Sequence, residues 1–344
     1  SDDAARILGP ALHGCGKLKT FKLTARESDG DVTEVTDEPM AHFVSALATL
    51  SCLKELELER VRIGPRCCSI LGGLLRSTKN LNILDLRRSS IDDECLGVLT
   101  NGLEHCKSLW KLNLFGNEFG DEGIIALING LISGRVGLKW LDISGASGMG
   151  VSDLLRSVCP LENLECDHSD ERLAQIGDAL QENRTLKTLY SCAPARNMKG
   201  WVSFERALCD TTSINSTLMS NHVLEVIECE YSGIPWPASS YLLINKAANT
   251  KWEAAVAKIV MHHDHLDMSP FFPWRLDLLP YVVQWCDKAA TIVELDNLRN
   301  ALPIGIEMTL ARKKFASVFQ FIRAMPMEYV NAATGRTYKK RKRM

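Results

Sequence analysis

Leucine and its apolar substitutes recur in a fixed rhythm along the first two thirds of the chain. Leu53-x-x-Leu56-x-Leu58, Leu81-x-x-Leu84-x-Leu86, Leu109-x-x-Leu112-x-Leu114 and Leu138-x-x-Leu141-x-Ile143 repeat one pattern, starting 28, 28 and 29 residues apart. The alternation inside each copy predicts a short strand. A second apolar set follows each of the first three at the same offsets: Ile63, Cys67, Leu71, Leu75; Ile91, Cys95, Leu99, Leu103; Phe119, Gly123, Leu127, Leu131. Spacing of four predicts a helix. One strand and one helix cannot bury their own apolar sides, whereas stacked copies share a continuous core. The pattern therefore predicts an α/β solenoid.

Weaker copies flank these four. Leu18-x-x-Phe21-x-Leu23 reads as an earlier strand, followed by an enlarged loop from Arg26 to Pro39. Ala4, Ala5, Ile7, Leu8, Ala11 and Leu12 read as the helix of a still earlier unit, which permits the array to begin upstream of Ser1. Leu161-x-x-Leu164-x-Cys166 and Leu186-x-x-Leu189 continue it, and the segment from Leu218 to Ile227 reads as a last degenerate strand. Beyond Gly233, Pro235 and Pro237 the period is lost. A single helix is expected from Tyr241 to His263, then further helices over about 276–285, 291–302 and 304–325. The predicted organisation is a solenoid over 1–232, a helical capping region over 233–330 and a basic tail over 331–344. A separate binding or oligomerisation domain is the alternative for the helical region.

Period, strand pattern and helical return resemble leucine-rich repeats of the ribonuclease-inhibitor type over residues 1 to about 230. The resemblance implies a horseshoe segment, with parallel strands on the concave side and helices on the convex side. Where that family often carries Asn or Cys at the turn, this chain has Asn117 once, but Val61, Ser89 and Ala146 elsewhere, which predicts irregular turns. Asn221-His222-Val223-Leu224 and the run from Phe319 to Pro326 look like a group of leucine-rich-repeat proteins from diatom algae, a likeness that implies no activity.

Composition narrows the function. The 344 residues are 46% hydrophobic and 24% charged, with 40 basic against 42 acidic side chains and a net charge of −2. Neither a disordered chain nor a nucleic-acid binder is expected from that balance, and no apolar run is long enough to span a membrane. Twelve cysteines in a long chain with ample core read as free thiols in an intracellular reducing compartment, cytoplasmic or nuclear, with an organelle left open. No phosphate loop, nucleophile elbow or zinc-protease motif is present, so neither enzyme activity nor a cofactor nor a small-molecule substrate is expected. The Gly145–Gly150 run reads as a turn, and His262-His263-Asp264-His265 as a helix end rather than a metal site.

Strand alternation assigns the candidate site. The second, third, fifth and seventh residues of each copy point to the concave face, in columns about 5 Å apart. There the pattern exposes Trp110, Trp140, Phe115 and Ile83 among charged residues that include Glu57, Asp85, Arg87, Asp142 and Glu165. Aromatic side chains inside a charged rim suit a protein-binding hot spot, and the acidic excess suits a basic protein partner. A tail or loop folded over the aromatics is the alternative. Two other functions are weighed. The loop headed by Arg26 invites comparison with the Ran GTPase-activating protein, which implies regulation of a small GTPase. The terminal run Lys339-Lys340-Arg341-Lys342-Arg343 resembles an import signal or a nucleic-acid foot.

Overall fold

The computed structural model describes residues 2–263, apart from 13–14, 26–35, 135, 147–149, 158, 168–169, 192–198 and 230–233. The strands are β1 (Thr20–Thr24), β2 (Glu55–Glu59), β3 (Ile83–Asp85), β4 (Lys111–Asn113), β5 (Trp140–Asp142), β6 (Asn163–Glu165), β7 (Thr188–Ser191) and β8 (Val226–Cys229). Helices α1 (Asp2–Leu12), α2 (Asp37–Leu47), α3 (Pro65–Ser77), α4 (Asp93–Leu103), α5 (Asp121–Gly134), α6 (Val151–Arg156), α7 (Asp170–Leu180) and α8 (Lys199–Leu208) alternate with the first seven. After them come α9 (Ile214–Met219), α10 (Ala238–Ala247) and α11 (Lys251–His262).

The strands form one open sheet in sequence order, every pair parallel. Their register places Phe21, Leu56, Leu84, Leu112, Leu141, Leu164, Leu189 and Ile227 side by side. From Leu56 to Leu189 this row is buried, as are Leu71, Leu99 and Leu127 on the helices behind it. The fold is thus an α/β solenoid of the leucine-rich-repeat kind. Two compact units divide the chain: the solenoid, Ser1–Leu208 with Val223–Ala238, and a second made of Cys209–His222 with residues from Ser239 onward.

Hydrogen bonds between repeats hold the stack beyond its leucines. Asn117, 3% exposed, accepts the N–H groups of Ser89 and Ile91 at 2.9 and 3.1 Å and donates to the carbonyls of Leu86 and Leu114 at 2.9 and 2.8 Å. One repeat earlier Ser89 donates its hydroxyl to the Leu58 carbonyl at 2.9 Å. The turns share one left-handed residue, and one of them adds a second, Ser90 with φ of 53°, so the expected irregularity is partial. The residue before this position is left-handed in all four copies, with φ of 57° at Arg60, 54° at Arg88, 67° at Gly116 and 89° at Gly145. The chain holds this turn even where Arg replaces Gly, because the amides of Arg60, Arg88 and Gly116 each donate to a carbonyl of the next repeat.

Helix starts are tied together in the same way. Asp37, in the first turn of α2, accepts the Arg66 and Cys67 N–H groups of α3 at 3.1 and 3.0 Å. Asp93 of α4 accepts from Gly120 and Gly123 at 2.8 and 2.7 Å, and Asp121 of α5 accepts from Gly150 at 2.8 Å. Each carboxylate meets the orphan donors and positive pole of the following helix. Pro65 occupies the corresponding place in α3, and α4 is capped instead by its own Asp92, which accepts the Cys95 N–H at 2.8 Å.

Three expectations need correction. Asp37–Pro39 begin α2 rather than ending a loop, since Pro is tolerated in the first turn of a helix. Leu218 belongs to α9, and the last strand starts only at Val226. The helix expected over 241–263 is two, broken before Thr250, whose hydroxyl accepts the Glu253 N–H at 3.1 Å while the Glu253 carboxylate accepts from the Asn249 N–H at 3.0 Å. That Thr-x-x-Glu arrangement starts a new helix. The helices expected beyond residue 263 lie outside the described residues.

Candidate functional site

The candidate residues lie on or beside strands β2 to β6, but the structure sorts them into different roles. Trp110 stands 42% exposed just before β4. Trp140 and Phe115 are half-buried, each under a cation of the chain itself: the Lys111 ammonium lies 3.9 Å from the Trp140 ring centre, and the Arg88 guanidinium 5.2 Å from that of Phe115. Such contacts contribute roughly 0.5–2 kcal/mol depending on desolvation. Ile83 is half-buried. Among the described residues, no ring-to-ring contact joins Trp110, Phe115 and Trp140. The aromatic centre read from the strand pattern is therefore one open ring and two capped ones.

The carboxylates divide as well. Asp85 and Asp142 are only 6% and 5% exposed, lower than strand alternation alone implies. The cause is local. Asp85, Asn113 and Asp142 occupy the same place in successive strands, and each accepts the backbone N–H two residues on, at 3.2, 3.0 and 2.9 Å. This turn draws the short side chain against the strand end. Sequence reasoning missed it, although three successive Asp/Asn residues at one repeat position signal it.

Near β1 to β3 the face neutralises itself. Glu57 pairs with Lys22 at 2.8 Å and Arg87 at 3.1 Å, and Arg87 also reaches Asp85 at 2.8 Å. Just before β6, Glu162 sits between Lys139 and Lys187 at 3.0 and 2.9 Å, and these bonds hold its carboxyl below the usual range.

Toward β8 the balance turns negative. Asp142, Glu165, Tyr190 and Glu228 are register partners in neighbouring strands. Burial, then the charge of Asp142, pushes the Glu165 carboxyl up to about 7, against the opposing pull of Lys111. Burial likewise raises Asp142, with Asp85 and Asp167 adding to it. Because the folded state favours protonated Glu165, its contribution to stability is present at low pH and lost as pH rises through about 7. A cation brought to this spot would relieve that repulsion.

Arg26 and the basic tail lie outside the described residues, as do Asp264 and His265. His262 and His263 are held on different partners, the Tyr241 hydroxyl and the Thr217 hydroxyl, each at 2.9 Å.

No family model matches the chain, and no curated protein matches it. Among solved structures that resemble it is the actin-binding site 2 of leiomodin-1. That likeness is 16% in identity over 58% of this chain and 84% of the other, with a TM-score of 0.28.

Proposed function

We propose that this chain is a non-catalytic protein-binding scaffold or accessory subunit, one that seats a basic segment of a partner protein on the strand face of its solenoid. The observation that supports this is the asymmetry of that face. The charges around Glu57 and Asp85 pair among themselves, while Asp142, Glu165 and Glu228 crowd together until one carboxyl holds its proton near neutrality. Exposed Trp110 on the same face supplies an aromatic anchor of the sort that dominates interface energetics. Repeat lengths of 28 and 29 residues support the ribonuclease-inhibitor type of array. Among the described residues six buried free thiols, Cys67, Cys68, Cys95, Cys106, Cys159 and Cys209, support residence in a reducing compartment.

The test is parallel affinity capture by the full wild-type chain, Trp110→Ala, Glu165→Gln and, as a control on the helix side, Ile125→Ser. Loss of Trp110 should weaken the partner about 30-fold, on the order of 2 kcal/mol. The Ile125 control should capture as the wild type does. Equal capture by the Trp110 and Glu165 variants would remove the strand face as the binding surface.

The same proposal sets a pH dependence. A cationic partner prefers the charged carboxylate, so affinity should fall as pH drops through about 7, where Glu165 takes up its proton. The limit for one proton is about tenfold per pH unit. Calorimetric titration of the captured partner at pH 6 and pH 8 would show this slope, and Glu165→Gln should flatten it.

A further inference from the structure

Lysines on and beside the strands differ in what holds them. Lys22, Lys139 and Lys187 each reach a carboxylate, at 2.8, 3.0 and 2.9 Å. Lys111 of β4 does not. Its ammonium rests on the ring of Trp140, its register partner on β5, 3.9 Å from the centre. Among the described residues it makes no ion pair. Two carboxylates stand beside that ring. Asp142 follows Trp140 by two residues, about 6.6 Å along the strand on the same side, and Glu165 is its register partner on β6, about 4.8 Å across. No cation pairs with either among the described residues. The ring has a cation, and the carboxylates beside it lack one.

An ammonium is a compact point charge, so centred on the ring it serves the ring and leaves the carboxylates unserved. A guanidinium is planar. Its face stacks on an indole while the N–H groups at its edge donate to a carboxylate alongside. Trp140, Lys111 and Glu165 are half-buried and Asp142 is buried, and partial desolvation strengthens both kinds of contact. Ring and carboxylates together suit an arginine better than the lysine that covers the ring.

We infer that Lys111 is a stand-in ligand, covering a seat on Trp140, Asp142 and Glu165 that takes an arginine side chain of the partner, and that docking displaces it. This deepens the reading of the strand face as the surface for a basic segment and rests on it. Lys111 then acts as a filter. A lysine of the partner would only exchange one ammonium for another on the ring, whereas an arginine gains the carboxylates as well, so segments of equal charge are told apart.

Binding of acetylated, amidated hexa-arginine and hexa-lysine peptides to the full chain tests this. It is read by fluorescence anisotropy at pH 8, above the value of about 7 near which Glu165 gives up its proton. The two peptides carry the same charge, so the ratio of their affinities removes the general attraction of the face. Lys111→Met uncovers the ring and should tighten hexa-arginine about tenfold but hexa-lysine only about threefold. Lys139→Met removes an equal charge, leaves Lys111 on Trp140, and should tighten both peptides alike, about twofold. Adding Trp140→Leu to Lys111→Met should abolish the arginine preference. An equal gain for both peptides in Lys111→Met, or no binding of hexa-arginine to it, overturns the seat. Should Glu165→Gln weaken both peptides equally in that case, the face still receives basic segments and the arginine seat alone falls. Displacement itself is read from lysine labelled with carbon-13 at Cε. The Lys111 signal, identified by its loss in Lys111→Met, should leave its ring-shifted position as hexa-arginine is added to the wild type. A signal unmoved at saturation also overturns the inference.

Discussion

Asn117→Ala should cost the solenoid about 4 kcal/mol. The change leaves two buried N–H groups, of Ser89 and Ile91, and two carbonyls, of Leu86 and Leu114, without the partner they share. Each stranded buried group costs about 1–3 kcal/mol, and water entering the vacated space returns part of it. Against a total stability of about 5–15 kcal/mol this is a large fraction. Asn117→Asp is the sharper variant, because it keeps the acceptor for Ser89 and Ile91 but turns an oxygen toward the Leu86 and Leu114 carbonyls. Urea unfolding of the full chain, followed by circular dichroism, would check both. A loss below about 1 kcal/mol for the Ala variant would mean that the side chain does not organise the turn.

Gly102→Ala should destabilise by about 2 kcal/mol, against the sign that helix propensity gives. In an exposed helix interior, replacing Gly with Ala gains about 1 kcal/mol. At Gly102 of α4, however, an added Cβ would come against the backbone of Gly72 in α3, including its carbonyl oxygen, so neighbouring repeats would have to move apart. Overpacking of that kind costs about 1–3 kcal/mol, and more where the obstacle is backbone. Gly97 of the same helix supplies the control, since a Cβ there meets nothing within 4 Å and Gly97→Ala should stabilise. Thermal melts of the two variants should shift in opposite directions. Equal shifts would show that repeat spacing is not set by this contact.

The strand leucines were legible because one alternating pattern fixes both their burial and their neighbours in the sheet. Helix α2 was not, although Met40, Phe43, Val44 and Leu47 are buried. Its opening Asp37-Glu38-Pro39 has the composition of a loop, and only the preceding repeat length argues otherwise. The break before Thr250 left a local mark in Thr250-x-x-Glu253, but apolar periodicity runs through it and hid it. Arg60 and Arg88 gave no sign of their left-handed backbone, because Gly is the residue that such a turn invites. At the candidate site, position on the face was readable and charge state was not. Whether Glu57 or Glu165 stays uncompensated depends on where Lys22, Arg87 and Lys111 reach, and side chains of that length are placed by the folded surroundings.

The aspartates that cap the helix of the next repeat give the array a direction. Asp37 is in place before α3 needs it, and Asp93 before α5, so a chain emerging from synthesis amino end first always carries the waiting carboxylate ahead of the amides it will receive. Order can then spread toward the carboxyl end one coil at a time. At Pro65 the relay has no carboxylate to pass on, and the self-capped α4 is a second place from which winding can start.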